Sequence, residues 1–166
     1  MQNCEHRSPS PLNIVWFKRD LHVQDNRALA RATQSGAVLP LFVVEDEFWH
    51  QPDMSARQWA FVQECLFDLR SALHKLGQRL VVRRGAVTEV LAAIQADYQI
   101  AALYSHEETG NAWTFKRDQK VAAWCAQNAI LWYQTQQHGT QRRLTSRNGW
   151  SKSWDSYMAQ PLTSAP

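Results

Sequence analysis

Three short segments are the most polar stretches of the first 133 residues, apart from the amino terminus, and their side chains could bind a ligand or move a proton. They cover residues 18–22, 45–47 and 105–111. In the first segment, Arg19 could contact a ligand or another domain. In the third, the run His106, Glu107 and Glu108 is a possible acid/base group. A polar loop beside a pocket is the competing interpretation of that third segment.

Each polar segment also has a structural interpretation. Arg19 and Asp20 could form ion pairs with Asp25 or Arg27 and so fix the turn after the first strand. Asn111 could be the N-cap of a helix, a role compatible with ligand binding because a helix start offers free N–H groups to an anionic or carbonyl-rich ligand. We expect residues 45–47 to form a solvated loop.

Several kinds of site are absent from the sequence. The bulky, charged residues 16–21 follow the first strand, where a dinucleotide site or a P-loop would need glycines. There is no Cys/His cluster with metal-ligand spacing and no Gly-x-Ser-x-Gly elbow. The three cysteines, Cys4, Cys65 and Cys125, are odd in number and widely spaced, so we expect reduced thiols, the last two buried. No catalytic or metal-binding residues are predicted in this chain.

The polar segments alternate with short apolar runs and helical patterns. The apolar runs, which predict buried strands, are residues 13–18, 37–44, 80–82, 100–104 and 130–133. Helices are predicted at residues 25–35, 55–77, 87–94 and 111–128, with Asp25 as the first cap and Ser55 opening a capping box. Buried strands separated by helices predict an α/β fold: a doubly wound, five-stranded parallel sheet of order 3-2-1-4-5 with helices on both faces.

This fold predicts where the polar segments meet. They follow the first, second and fourth strands, and ligands of a doubly wound sheet bind beyond the carboxyl ends of its strands. Pro40 lies inside the second run and lacks an N–H, so we expect that strand to pair fully only from Leu41 onward. The sequence therefore predicts one polar, ligand-competent edge of the sheet.

The domain boundaries follow from composition and periodicity. Residues 1–12 are expected to be a disordered lead-in, residues 13–134 the α/β domain, and residues 135–166 a linker with one helical turn near Trp154. Basic and acidic residues balance through residue 137, so the basic excess lies in the tail, which we interpret as a solvated linker because four basic residues offer few phosphate contacts. No signal-type or membrane-spanning run is present, which predicts a cytoplasmic protein with no membrane partner.

Residues 13–29, NIVWFKRDLHVQDNRAL, resemble the opening signature of DNA photolyases and cryptochromes. Further similarity lies at residues 38–44, 55–57, 105–113 and 147–155, so the resemblance extends from residue 13 to about residue 160. It implies the amino-terminal α/β domain of a two-domain flavoprotein. In that family this domain can hold an antenna chromophore, a folate or a deazaflavin, and a helical second domain binds FAD and, in photolyases, damaged DNA.

The resemblance also implies site residues and partners. Asn111 matches an Asn that lies against the antenna in folate-binding members, and Arg19, His106, Glu107 and Asn111 are the expected cofactor-binding residues. Ala112 stands where some of those members have Glu. The parent protein is expected to repair pyrimidine dimers with light, and to contact DNA through its carboxy-terminal FAD-binding domain, which we expect to be the partner missing from this chain.

We expect this chain alone to be inactive, to carry no FAD, and to be an excised fragment rather than a natural stand-alone domain. Two other functions stay open. One is a sensory cryptochrome domain that serves as an interaction platform. The other is an unrelated nucleotide-binding α/β protein, against which the missing glycine-rich loop argues.

Overall fold

The computed structural model describes residues 11–140, 142 and 146–166. Residues 1–10 of the expected lead-in, Cys4 among them, therefore lie outside the described residues. So does Arg143, one of the four basic residues of the tail. The elements are, in chain order, β1 (Leu12–Phe17), α1 (Arg27–Gln34), β2 (Val38–Val44), α2 (Asp46–Trp49), α3 (Ala56–Lys75), β3 (Val81–Arg84), α4 (Val87–Asp97), β4 (Ile100–His106), α5 (Ala112–Gln127), β5 (Leu131–Thr135) and α6 (Trp150–Met158).

The five strands form one sheet in the order β3-β2-β1-β4-β5, and every neighbouring pair is parallel. The predicted α/β fold and strand order are confirmed. Strand β1 is central and is buried on both faces, as its uninterrupted apolar run predicts. Ile14 and Trp16 point to one face, Val15 and Phe17 point to the other, and none is more than 1% exposed.

Two apolar clusters attach the helices to the two faces of the sheet. On the face of Trp16, helices α4 and α5 contribute Leu91 and Val121. On the face of Phe17, helices α1 and α3 contribute Leu29 and Leu69. Burying such a side chain fully contributes about 1.5–3 kcal/mol. The sheet is therefore a rigid base from which the loops at its carboxyl edge project.

The helix starts follow the predicted capping residues with one exception. Ser55 accepts a hydrogen bond from the Gln58 N–H, and Asn111 caps α5 in the same way. Helix α1, however, is capped by Asn26 and not by Asp25. Asp25 adopts a left-handed conformation, with φ of 53°, and its carboxylate accepts a hydrogen bond from the Thr163 N–H instead.

Pro40 limits pairing on one side of β2 only. Strand β2 pairs with β1 from Val38 onward, and this pairing includes Pro40. Its pairing with β3, in contrast, begins only at Leu41. The expectation of a late start is therefore right for β3 and wrong for β1.

The described part of the tail contains more helix than its sequence suggested, since α6 has nine residues instead of a single turn. Gly139 lets the helix approach, because a Cβ at that position would lie 2.3 Å from the Trp154 ring. The Tyr157 hydroxyl also donates a hydrogen bond to the Gln136 carbonyl.

Two other features of the described residues bear on function. Cys125 is buried as expected, but Cys65 is only half-buried. Among the described residues, no helix combines the length and the apolar character needed to cross a bilayer.

Candidate functional site

A cleft of about 500 Å³ opens at the carboxyl ends of β1 and β2, between these strands and helices α2 and α3. Its walls are mainly apolar and aromatic, with Trp16, Phe48, Trp49 and Phe61 among them. The segments after β1, β2 and β4 all reach it, as a doubly wound sheet requires of a ligand site. The predicted polar edge therefore exists, and its concave part is largely apolar.

Short helix α2 builds one wall of the cleft through aromatic contacts. The Phe48 and Trp49 rings meet edge to face at 5.1 Å between centroids, and Trp49 meets Trp59 of α3 at 4.8 Å. On the other side, Phe48 lies 5.5 Å from the Trp113 ring at the start of α5. Such pairs add about 0.5–1.5 kcal/mol each beyond their buried area. They fix α2 between α3 and α5.

Arg117 is the centre of a buried ion cluster at the base of the cleft. Its guanidinium donates to Glu45 at 3.1 Å, to Asp118 at 2.8 Å and to Glu108. The guanidinium also lies 4.7 Å from the Trp16 ring centroid. Although burial by itself would lower the pKa of Arg117, the three carboxylates raise it, so this side chain stays charged.

Glu45 is buried in this cluster, and the expectation of a solvated loop is wrong for it. The side chain follows β2 and is 8% exposed, because α2 turns it inward between Arg117 and the start of α4. Burial raises the pKa of Glu45 from 4.5 to about 7, and the hydrogen bonds from Arg117 and from the Val87 N–H only partly oppose the effect. Asp46, in contrast, is exposed and pairs with Arg84.

Lys18 adds a second buried cation beside the cleft. Its Nζ lies 3.0 Å from an Asp118 carboxylate oxygen and 4.4 Å from the Trp16 ring centroid. Burial lowers the pKa of Lys18 from 10.5, while the nearby Asp118 carboxylate opposes that change. The cleft floor is thus polar and internally paired, and its walls are aromatic.

A separate buried network fixes the turn between β1 and α1. The Asp20 carboxylate lies 2.6 Å from His106 Nδ1 and accepts hydrogen bonds from the Lys18 N–H and the Asn26 side chain. Although burial by itself would raise it, the hydrogen bond and charge of His106 hold the pKa of Asp20 below 3.8. The alternative partners Asp25 and Arg27 are not the ones that Asp20 uses.

The four residues predicted to bind a cofactor occupy different surroundings. Arg19 lines the cleft, half-exposed, with Nε 3.0 Å from Glu108. His106 is buried against Asp20. Glu107 is half-buried, and its N–H donates to the Thr135 carbonyl. Only Arg19 of the four is a lining residue of the cleft.

Asn111 lies outside the cleft. Its side-chain oxygen accepts a hydrogen bond from the Thr114 N–H, and its side-chain nitrogen donates to both oxygens of Asp53, at 3.1 and 3.0 Å. It borders a separate shallow pocket of about 390 Å³ beside Trp113. Both polar atoms of Asn111 are therefore engaged within the chain.

Sequence reasoning missed Glu45, Arg117 and the α2 aromatics. A signal for Arg117 was present, because Trp113 and Val121 were already placed on the inner face of α5 and residue 117 lies one turn from each. Helix α2 has only four residues, too few for periodicity to show. Among the described residues, no three His, Cys, Asp or Glu side chains come together as a metal site would require.

Comparison with known proteins gives a consistent family. A model of the DNA photolyase family matches residues 13–145. A chloroplastic/mitochondrial cryptochrome DASH of Arabidopsis thaliana is 34% identical over 110 residues, 62% of this chain and 19% of that protein. A deoxyribodipyrimidine photo-lyase of Synechococcus is 28% identical over 156 residues, 89% of this chain and 32% of that protein. The chain thus spans about a fifth to a third of these relatives.

Solved structures share the fold. The cryptochrome of Synechocystis matches with a TM-score of 0.79 and 19% identity, covering 94% of this chain and 36% of that one. A class III photolyase of Agrobacterium tumefaciens matches with a TM-score of 0.77 and 19% identity over 99% of this chain and 36% of that one. The photolyase of Sulfolobus tokodaii has a TM-score of 0.73 and 23% identity, covering 92% of this chain and 36% of that one.

Proposed function

This chain belongs to the DNA photolyase family, and from that premise we propose that its cleft is the antenna site of a light-dependent flavoprotein. In the complete protein a second, helical domain holds FAD, and the parent repairs pyrimidine dimers in DNA. The observation that carries this proposal is the aromatic cleft over the carboxyl ends of β1 and β2.

The names of the similar proteins support a light-dependent flavoprotein. The Synechococcus relative is a deoxyribodipyrimidine photo-lyase. The Sulfolobus tokodaii structure is described as containing two FAD molecules and as implying a novel light-harvesting cofactor. For the present chain we propose a folate-like or deazaflavin-like chromophore, which would absorb light and pass the excitation to the flavin.

The cleft residues fit a flat heteroaromatic ligand. Ligand sites commonly enclose about 300–1,000 Å³ between apolar walls with a few polar groups, and this cleft of about 500 Å³ lies within that range. The Phe48 and Trp49 rings offer faces and edges against which a planar ring system can stack. The family's chromophore is therefore compatible with this chain's own side chains.

Each polar side chain of the cleft has a role in this proposal. Arg19 contacts the ligand, because its guanidinium is half-exposed at the cleft mouth. There it pairs with Glu108 and lies over the Phe48 ring. Arg117 and Glu45 hold the floor in place. His106 acts through Asp20, which it orients at the turn that positions Arg19.

A binding titration tests this assignment. The purified chain is titrated with a reduced folate, a deazaflavin and a flavin in turn, and binding is followed by fluorescence. We expect the reduced folate or the deazaflavin to bind in a one-to-one ratio, and binding of the flavin alone would contradict the proposed chromophore class. Phe48→Ala should weaken that binding by at least fivefold, the loss of one aromatic contact, and Arg19→Ala should also weaken it.

Asn111→Ala is the matched control, since Asn111 borders the shallow pocket and not the cleft. It should change the affinity by less than about twofold. A loss of binding in Asn111→Ala with none in Phe48→Ala would move the ligand to the shallow pocket. No binding of any of the three ligands would contradict an antenna site in this chain.

A further inference from the structure

A second concave surface lies on the part of α3 that faces away from the cleft. The α3 side chains that line the cleft are Gln58, Phe61, Val62 and Cys65. Further along the helix, residues 67, 70, 71 and 74 share another face. Together with residues 78–80, they form a groove of about 570 Å³. We call this surface the α3 groove.

The α3 groove lies in a strongly basic part of the chain. Residues 67–84 contain five basic side chains and one acidic side chain, Asp68. Arg84 is neutralised by Asp46. Among the described residues, the other four basic side chains are exposed and form no ion pair; they are Arg70, Lys75, Arg79 and Arg83. The charge count of the first 137 residues, which is balanced, does not show this patch, because most of the acidic residues that balance it lie elsewhere in the chain.

An exposed aromatic ring lines the α3 groove together with Arg70 and Arg79. Phe67 is 71% exposed, although such a side chain would normally be buried. It lies one turn from Arg70 and Ser71 on α3, and His74 follows one turn later. An exposed ring flanked by guanidinium groups is the combination with which proteins bind single-stranded nucleic acids, because bases stack on the ring while cations contact the phosphates.

The groove does not suit a peptide added as a strand to the sheet. Strand β3 is the edge strand beside it, but the Arg83 guanidinium donates to the Val82 carbonyl at 3.0 Å and so occupies an edge acceptor. Charged side chains at an edge commonly prevent such pairing.

We propose that the α3 groove binds single-stranded nucleic acid, with Phe67 stacking on a base and Arg70 and Arg79 contacting phosphates. This surface is separate from the chromophore cleft, so the proposal does not depend on the antenna function. Contact of these two arginines with about two phosphates predicts that the logarithm of the association constant falls with the logarithm of salt concentration with a slope of about −1.4.

Fluorescence anisotropy with a labelled oligothymidylate of about twelve nucleotides tests the proposal. We expect binding at low salt with that slope. Phe67→Ala should weaken binding by at least fivefold, as the loss of one stacked base predicts. The double variant Arg70→Ser/Arg79→Ser should weaken it further and make the slope shallower. Circular dichroism and thermal melting confirm that each variant folds, and all these side chains are exposed.

Helix α5 offers a matched control, because it also exposes a phenylalanine and two lysines. Phe115→Ala and Lys116→Ser/Lys120→Ser should each change the affinity by less than about twofold. Equal effects of the two sets would show unspecific charge attraction and overturn the proposal. Equal binding of an acidic peptide, with no effect of Phe67→Ala, would assign the groove to a protein partner instead. No binding at low salt would also overturn it.

Discussion

Replacing Glu45 with glutamine should stabilise the protein at neutral pH, because the buried carboxyl is costly to ionise. Two effects compete at this residue. The Arg117 guanidinium favours the charged form, and burial of the side chain disfavours it. Burial dominates, since the pKa of Glu45 is raised from 4.5 to about 7. A glutamine keeps the shape and an acceptor oxygen for Arg117 and for the Val87 N–H, and it removes the titration.

The size of the effect follows from the pKa values. A carboxyl whose folded-state pKa lies above its unfolded value binds a proton more tightly when folded, so its contribution to stability is present below pH 4.5 and is lost as the pH rises through about 7. Each pH unit between those values lowers the free energy of unfolding by about 1.4 kcal/mol. Above pH 7, the ionisation of Glu45 therefore lowers the free energy of unfolding by about 3 kcal/mol.

Urea denaturation of the wild type and of Glu45→Gln at several pH values between about 4 and 8 measures this cost. The comparison cancels every other titrating group that the two proteins share. We expect the glutamine variant to gain about 3 kcal/mol relative to the wild type across that range. A difference that does not change with pH would refute the argument. So would a variant that becomes relatively less stable as the pH rises, because the Arg117 ion pair would then outweigh burial.

Three further changes test the scaffold that holds the cleft, each by urea denaturation. Asn26→Ala should cost about 2 kcal/mol, because the side chain caps α1 at 2.8 Å from the Leu29 nitrogen; a loss below about 0.5 kcal/mol would contradict the cap. Asp20→Asn should destabilise the protein above pH 3.8, since the lowered pKa of Asp20 gives stability there that is lost as the pH falls; an equal loss near pH 2 would contradict this. Leu41→Ala should cost about 2–5 kcal/mol at a fully buried site, and a cost under 1 kcal/mol would contradict that packing.

The sheet could be predicted from sequence because each strand is a continuous apolar run between helical patterns. The run 13–18 contains no polar alternation, which only burial on both faces explains, and the structure buries Ile14 to Phe17 completely. The α5 cap was also readable, since Asn111 precedes the inner-face periodicity of Trp113 and Val121. The α1 cap was placed one residue early, because Asp and Asn cap helices equally well and the choice depends on tertiary contacts, of Asp25 with Thr163 and of Asn26 with Asp20.

The candidate site was predicted only in its location. Its edge followed from the topology, but the roles of individual side chains depend on tertiary contacts that no local pattern encodes. Glu45 was expected in solvent with Asp46, yet these adjacent residues at the start of α2 differ: the Glu45 carboxyl is buried and the Asp46 carboxyl is exposed. His106 has a residue type suited to proton transfer, but the fold brings Asp20, 86 positions away, against its ring. Contacts between residues so far apart in the sequence form only when the sheet assembles.

The central claim, that the cleft over β1 and β2 holds the chromophore, is tested most directly by mapping the bound ligand on the backbone amides. A nitrogen-15 nuclear magnetic resonance titration of this chain with the tightest-binding chromophore provides that map. The account predicts that the largest shifts fall at Arg19, Phe48 and Cys65, with little change at Asn111 or Phe67. Shifts centred on residues 51–53 and 111–113, with none at Arg19 and Phe48, would contradict it.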